Sequence, residues 1–393
     1  MYWGTFLFGV SSKHSVTFFK ALLETNVTGM EVIKVLEAGV TSDAAIIGLT
    51  YGAGGTGPAS ICLKYAKATQ EGRDFAMGGD MYKKELYFFK NLHKEVAACM
   101  SIPKMVGVLI DEDKPEEFFC IAMEDLLPNH DLVDQVTGLT VAEAASLADM
   151  AAAFHANFWD SPVLKEDIVC QGKPDACAVF FEGWAMVTCT TPGSWDKYLG
   201  LCRKRVQVDF ESTPAETEAC KFLQQYPAEL FASFHTVLDT RPKTLTHGDM
   251  RADNMFRKKD GSGYSVIDWQ TYGASSPGIE MHQLFANTLK TEADYLQLPA
   301  LMKGYLAKLH ELQPKSRGYT FEMLWEDFRI AGALGNVCMA TALTGLLDTL
   351  PEDHPNFILF KKAFFPRNRW CYTALDIAGV VLDHAKQLGL KLA

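Results

Sequence analysis

The stretch His247-Gly248-Asp249-Met250-Arg251-Ala252-Asp253-Asn254, HGDMRADN, decides the fold, because its spacing is HxDxxxxN and a strand ending in an aspartate follows it. Asp249 comes shortly after the apolar Leu245. The β-rich run Tyr264 to Ile267 ends at Asp268, and a turn at Lys258 to Gly263 joins the two segments. Phosphoryl transfer from ATP requires a group that orients the acceptor hydroxyl, oxygen ligands for Mg2+, and positive charge on the phosphates. Here Asp249 is the candidate for the hydroxyl proton, and Asn254 and Asp268 are the candidate metal ligands. Arg251, whose guanidinium is permanently charged, would reach the transferred phosphate. A lone Asp or Asn in a loop is ordinarily a turn former. The ordered combination is what points to this chemistry.

Working outward, the same chemistry asks for a strand lysine paired with a helical glutamate. In Ile61-Cys62-Leu63-Lys64 the alternation sends Ile61 and Leu63 to one face and Lys64 to the other, beside the small Cys62. Met81 to Val96 has helical spacing, with Tyr82, Leu86, Phe89, Leu92 and Val96 on one face. Glu85 lies on that apolar face, where a carboxylate is costly unless paired, so Lys64 is its expected partner.

The surrounding chain predicts an α+β architecture. Strands are expected at Val32 to Gly39, Ala44 to Gly52, Ala59 to Ala66, Met105 to Ile110 and Phe118 to Met123. Helices are expected at Ala142 to Trp159, Glu216 to Leu238, Ile279 to Thr288, Ala293 to Leu312 and Trp325 to Leu347. The break falls after Glu124-Asp125, giving a β-rich part over residues 1–125 and a mainly helical part over 126–393. At 393 residues there is ample material for a core, and 48% hydrophobic with 22% charged residues is ordinary globular composition.

A formal net charge of -11 argues against nucleic acid or anionic lipid as a partner. It is read instead as a solvated surface. The ten cysteines form no CxxC pair and no zinc spacing, and are expected to be reduced. The apolar run Tyr2 to Val10 has no basic residue before it and is too short to span a membrane, so a cytoplasmic protein is expected. No protein partner is implied. Gly52-Ala53-Gly54-Gly55-Thr56-Gly57 spells GxGxxG but runs into Pro58 and a strand rather than a helix, so it is read as a hairpin connection.

Taken together, ICLKYA, MYKKELYFFKNL, the hinge-like IAMEDL, GLTVAEAASLADMAAAFHANFWD, HGDMRADNMF and VIDWQ resemble the aminoglycoside phosphotransferase and choline kinase group. The likeness is greatest to its ecdysteroid-kinase-like branch and spans nearly the whole chain. It implies a bilobal protein-kinase-like fold with ATP and Mg2+ held between the lobes, and γ-phosphate transfer to a small hydroxylated molecule. It also implies that Met123 to Asp125 meet the adenine and that the turn after Gly39, including Ser42, covers the phosphates. His247 and His155 are expected to be structural. Trp269-Gln270 after Asp268, where protein kinases have Phe-Gly, and the lack of an APE-like segment disfavour protein acceptors. The rival reading is a non-catalytic nucleotide-binding scaffold on the same fold. Trp184, Trp195, Trp325, Glu326, Asp327 and Trp370 are possible acceptor-pocket residues; sterol, amino alcohol, sugar, indole and hydroxyacyl acceptors all fit.

Overall fold

The computed structural model describes residues 22–36, 39, 41–109, 119–171, 175–177, 182, 185–186 and 189–392. The run Tyr2 to Val10, Ile110, Phe118 and Trp184 therefore lie outside the described residues. The chain forms two compact units. One reaches Leu132 and takes in Phe256–Thr271; the other comprises Val133–Met255 and the chain from Tyr272 onward.

The first unit is built on strands β1 (Val27–Leu36), β2 (Ser42–Tyr51), β3 (Ser60–Ala66), β4 (Met105–Leu109) and β5 (Cys120–Glu124). They pair antiparallel in the order β1-β2-β3-β5-β4. Ile61, Leu63 and Tyr65 are buried with Val27, Ala45, Ile47, Cys120 and Ala122, while Cys62 and Lys64 alternate to the other face. The glycine-rich Gly52 to Gly57 lies in the β2 to β3 connection, where Gly54 takes a φ of 76° and Gly52 donates to the Asn26 carbonyl.

Between β3 and β4 come α1 (Gln70–Gly78), capped by the Thr69 hydroxyl, and α2 (Met81–Tyr87). The helix continues through a π turn at Phe88–Leu92 into His93–Val96. The extra residue in that turn accommodates two adjacent buried aromatics, Phe88 and Phe89.

Five short strands follow: β6 (His130–Leu132), β7 (Thr244–Thr246), β8 (Met255–Lys258), β9 (Tyr264–Val266) and β10 (Gly273–Ser275). Residues 130–132 of β6 pair with 256–258 of β8, and β8 with β9, so this ribbon groups with the first unit. A single break after residue 125 therefore does not describe the chain: the ribbon's backbone pairing carries residues 256–271 into the first unit.

The second unit is mainly helical: α3 (Val141–Asn157), α4 (Ser194–Leu201), α5 (Pro214–Gln225), α6 (Pro227–Asp239), α7 (Pro277–Phe285), α8 (Leu298–Leu312), α9 (Phe321–Thr349), α10 (Phe365–Ala374) and α11 (Ile377–Gln387). Thr140 and Glu143 form a capping box that starts α3, whose buried Ala144, Ala148, Ala151 and Ala152 let it lie close against α8. One helix was expected over Glu216 to Leu238, and there are two. Pro227, lacking an N–H, ends the hydrogen-bond ladder of α5 and starts α6. Pro299 likewise separates the turn Glu292–Tyr295 from α8 within the expected helix Ala293 to Leu312. No helix among the described residues is long and apolar enough to cross a membrane.

Candidate active site

The first unit brings Lys64, Glu85 and Asp268 together. The Lys64 ammonium lies 2.7 Å from Glu85 Oε1 and 2.5 Å from Asp268 Oδ1. Register fixes the lysine, which stands on β3 opposite Ala44 of β2 and Ile121 of β5. Glu85 is 1% exposed on α2, where only a paired carboxylate is tolerable. Burial works against the Lys64 ammonium, yet Asp268 and Glu85 outweigh it and raise its pKa. Burial raises Glu85 in turn, opposed by Lys64 and reinforced by Asp268.

Asp268 is held from several directions. After β9 the chain turns at Asp268 through a left-handed φ of 68°, which aspartate tolerates better than most residues. Just before it, Val266 donates to the Ser101 carbonyl, and the Ser265 hydroxyl meets Ser101 Oγ at 2.8 Å and His130 Nε2 at 3.0 Å. Just after it, buried Trp269 stacks on Phe88 with ring centroids 4.3 Å apart and an interplanar angle of 9°. Gln270 Nε2 donates to Asp268 Oδ2 at 3.3 Å, while Thr41 Oγ1 donates to Gln270 Oε1 at 2.9 Å.

The remaining nucleotide-side candidates also lie in this unit. Met123 sits on β5 opposite Cys62 and is buried. Asp125 accepts from Ser60 Oγ at 2.6 Å and from the Leu127 N–H. Ser42 opens β2 with its hydroxyl buried and without a hydrogen-bond partner among the described residues. Burial pushes the Cys62 thiol up to about 12, which keeps it protonated.

The second unit holds the HGDMRADN loop. Asn254 Nδ2 donates to the Asp249 carbonyl at 2.8 Å and to Asp249 Oδ2 at 3.0 Å. Arg251 Nε donates to the same Oδ2 at 3.1 Å, and its Nη1 to Asp253 Oδ2 at 2.7 Å. The protein thus grips one oxygen of Asp249, and Oδ1 has no hydrogen-bond partner among the described residues. Burial lifts the Asp253 carboxyl above its ordinary range against the pull of Arg251.

Glu280, on α7, braces this loop and was not singled out from sequence. It is 1% exposed and accepts the backbone N–H of His247 and, at 3.2 Å, that of Gly248, whose φ is 81°. An acidic residue amid Ile279, Met281 and Leu284 was the available signal. His247 and His155 are buried: His247 Nδ1 accepts the Asp249 N–H at 3.2 Å, and His155 Nδ1 meets Tyr305 Oη at 2.7 Å. Among the possible acceptor-pocket residues, Asp327 is engaged inside the unit by Arg241, Tyr319 and Ser276.

The sequence profile of the ecdysteroid kinase-like family matches residues 43–317. The chain belongs to that family. Among solved structures, a candidate aminoglycoside phosphotransferase from Ralstonia eutropha superposes with a TM-score of 0.52 at 15% identity, covering 96% of this chain and 98% of that one. An ethanolamine kinase from Plasmodium vivax matches at a TM-score of 0.48 and 10% identity, over 88% and 82% of the two chains. A choline kinase from Streptococcus pneumoniae matches at 0.45 and 11%, over 93% and 98%. At such identities the likeness is one of fold, a mixed α+β kinase-like fold with an antiparallel N-terminal sheet. A sequence comparison with curated proteins gives no match.

Proposed function

We propose that this ecdysteroid kinase-like protein is an ATP- and Mg2+-dependent kinase that transfers the γ-phosphate to a hydroxyl of a small molecule. The observation that carries the reading is the Lys64, Glu85 and Asp268 cluster: a strand lysine oriented by a buried helix carboxylate, beside an aspartate set on a left-handed turn.

In this reading Lys64 binds the nucleotide phosphates. Met123 and Asp125 lie on the adenine side and Ser42 in the turn over the phosphates. Asp249 accepts the hydrogen bond of the acceptor hydroxyl through Oδ1, aimed by the grip of Asn254 and Arg251 on Oδ2. Arg251 balances the charge of Asp249 and Asp253 and adds positive field for the phosphate being transferred.

Each proposed metal ligand, taken by itself, has chemistry that suits magnesium. Asn254 uses its amide nitrogen within the loop, which leaves the side-chain carbonyl oxygen as an acceptor, and Asp268 offers carboxylate oxygens, the hard donors that magnesium takes. No group of three or more His, Cys, Asp or Glu among the described residues is arranged to hold a metal alone. Magnesium takes one or two protein oxygens and fills its other positions with phosphate oxygens and water, so it does not need a larger protein cage. When bound, the ion neutralises charge on the phosphates.

The test starts by incubating the protein with labelled ATP, Mg2+ and a metabolite extract and isolating the phosphorylated product. Asp249→Asn should lower its formation by about 10²- to 10⁴-fold while ADP binding persists. Unchanged turnover in that variant, or no product under any condition, would refute the assignment.

A further inference from the structure

The contacts around Asp268 close into a ring. Asp268 Oδ1 meets Lys64, and Lys64 meets Glu85 on α2. One helical turn earlier, on the same face of α2, Tyr82 Oη donates to the Thr41 carbonyl at 2.5 Å. The Thr41 hydroxyl donates to Gln270 Oε1, and Gln270 Nε2 returns to Asp268 Oδ2. The ring joins β3, α2, the turn before β2 and the segment after β9, and all of it lies in the first unit.

Three of its members are uncharged, and the chemistry of two of them, Thr41 and Gln270, shows what they do. A primary amide beside a carboxylate is useful only if its nitrogen faces that carboxylate; flipped, it sets oxygen against oxygen. The acceptor-only carboxylate of Asp268 sets the orientation, with Nε2 facing it, and the Thr41 hydroxyl, by donating to Oε1, anchors the amide there. Thr41 is 4% exposed, and Tyr82 Oη and the Lys67 N–H, at 3.3 Å, both donate to its carbonyl, so its own position is fixed.

We infer that Thr41 and Gln270 are positioning residues for Asp268, acting in series: Thr41 anchors the Gln270 amide, and the amide orients the metal-binding carboxylate. The inference rests on the kinase reading above. It adds a structural link between the turn that precedes β2 and the aspartate assigned to the metal.

The experiment measures, by calorimetry, the Mg2+ dependence of ADP binding to the full chain, together with kcat and KM once an acceptor is in hand. Thr41→Val and Gln270→Met should each weaken Mg2+-dependent binding by about tenfold, the effect of losing one hydrogen bond to a charged group. ADP binding without metal should change little. Thr41→Ser, which keeps the hydroxyl, should restore wild-type behaviour. Because the two residues act in series, the double variant should be no weaker than Gln270→Met alone. Wild-type Mg2+ dependence in Thr41→Val, or multiplying losses in the double variant, would overturn the inference and leave the kinase reading standing. Absence of Mg2+-dependent nucleotide binding in the wild-type protein would overturn both.

Discussion

Removing the Glu280 carboxylate should loosen the HGDMRADN loop by a calculable amount. The side chain is buried on α7 and accepts two main-chain N–H groups, from His247 and Gly248. In Glu280→Ala both donors lose their partner in the interior, at about 1–3 kcal/mol each. Relief from burying a carboxylate works in the opposite direction, so a net loss of about 3 kcal/mol is expected. For a unit of this size that corresponds to roughly 6–12 °C in Tm. Glu280→Gln keeps the shape and one acceptor oxygen but not the charge, and should lose about half as much. Circular dichroism melts give the Tm. Hydrogen exchange at the His247 and Gly248 amides reports the site itself, and both should exchange faster in the alanine variant. A Tm within about 2 °C of wild type together with unchanged exchange at those amides would show that Glu280 does not brace the loop.

Two further outcomes follow from the second unit. His282 is buried with neither ring nitrogen hydrogen-bonded among the described residues, and burial pushes its pKa down to about 4; the unfolded chain therefore binds the proton first, and stability should fall as pH drops from about 6.5 towards 4, by about 2 kcal/mol at pH 5. Urea midpoints against pH should show this slope flattening in His282→Leu, and an unchanged slope would contradict the assignment. Two helix glycines should respond with opposite signs: a Cβ at Gly278 would lie 2.5 Å from Asp327 Cβ and 2.9 Å from the Phe328 nitrogen, whereas at Gly304 no described atom beyond the local helix backbone lies within 4 Å. Melts of Gly278→Ala should show a loss of about 1–3 kcal/mol, and those of Gly304→Ala a gain of about 0.5–1 kcal/mol.

Lys64 and Glu85 were legible because each announces itself locally: alternation sets the lysine opposite an apolar face, and a carboxylate on the apolar stripe of a helix demands a partner. The sheet was legible for the same reason. Thr41, Gln270 and Glu280 were not, because their roles are hydrogen bonds to groups far along the chain, and a threonine, a glutamine or a first-turn glutamate has an ordinary local explanation. The helix boundaries at Pro227 and Pro299 were misread for a simpler cause. Apolar periodicity continues across both prolines, but a hydrogen-bond ladder does not, and the missing N–H should have taken precedence.

Arg251 is the residue whose reading changes most, and the signal for the change was present in the sequence. In Asp249-Met250-Arg251-Ala252-Asp253 polar and apolar residues alternate, and Met250 and Ala252 are fully buried. Arg251 itself has extended backbone, with φ -119° and ψ 166°. Extended backbone at Arg251 sets it on the side of Asp249, two residues back, and the 3-10 turn Ala252–Asn254 that follows brings Asp253 within reach of the same guanidinium. Its guanidinium accordingly pairs with Asp249 and Asp253. A group so placed first restrains the carboxylate proposed to meet the acceptor. Replacing it by lysine would keep the charge but lose the fork that reaches both carboxylates at once, so the arginine matters here for its geometry as much as for its charge.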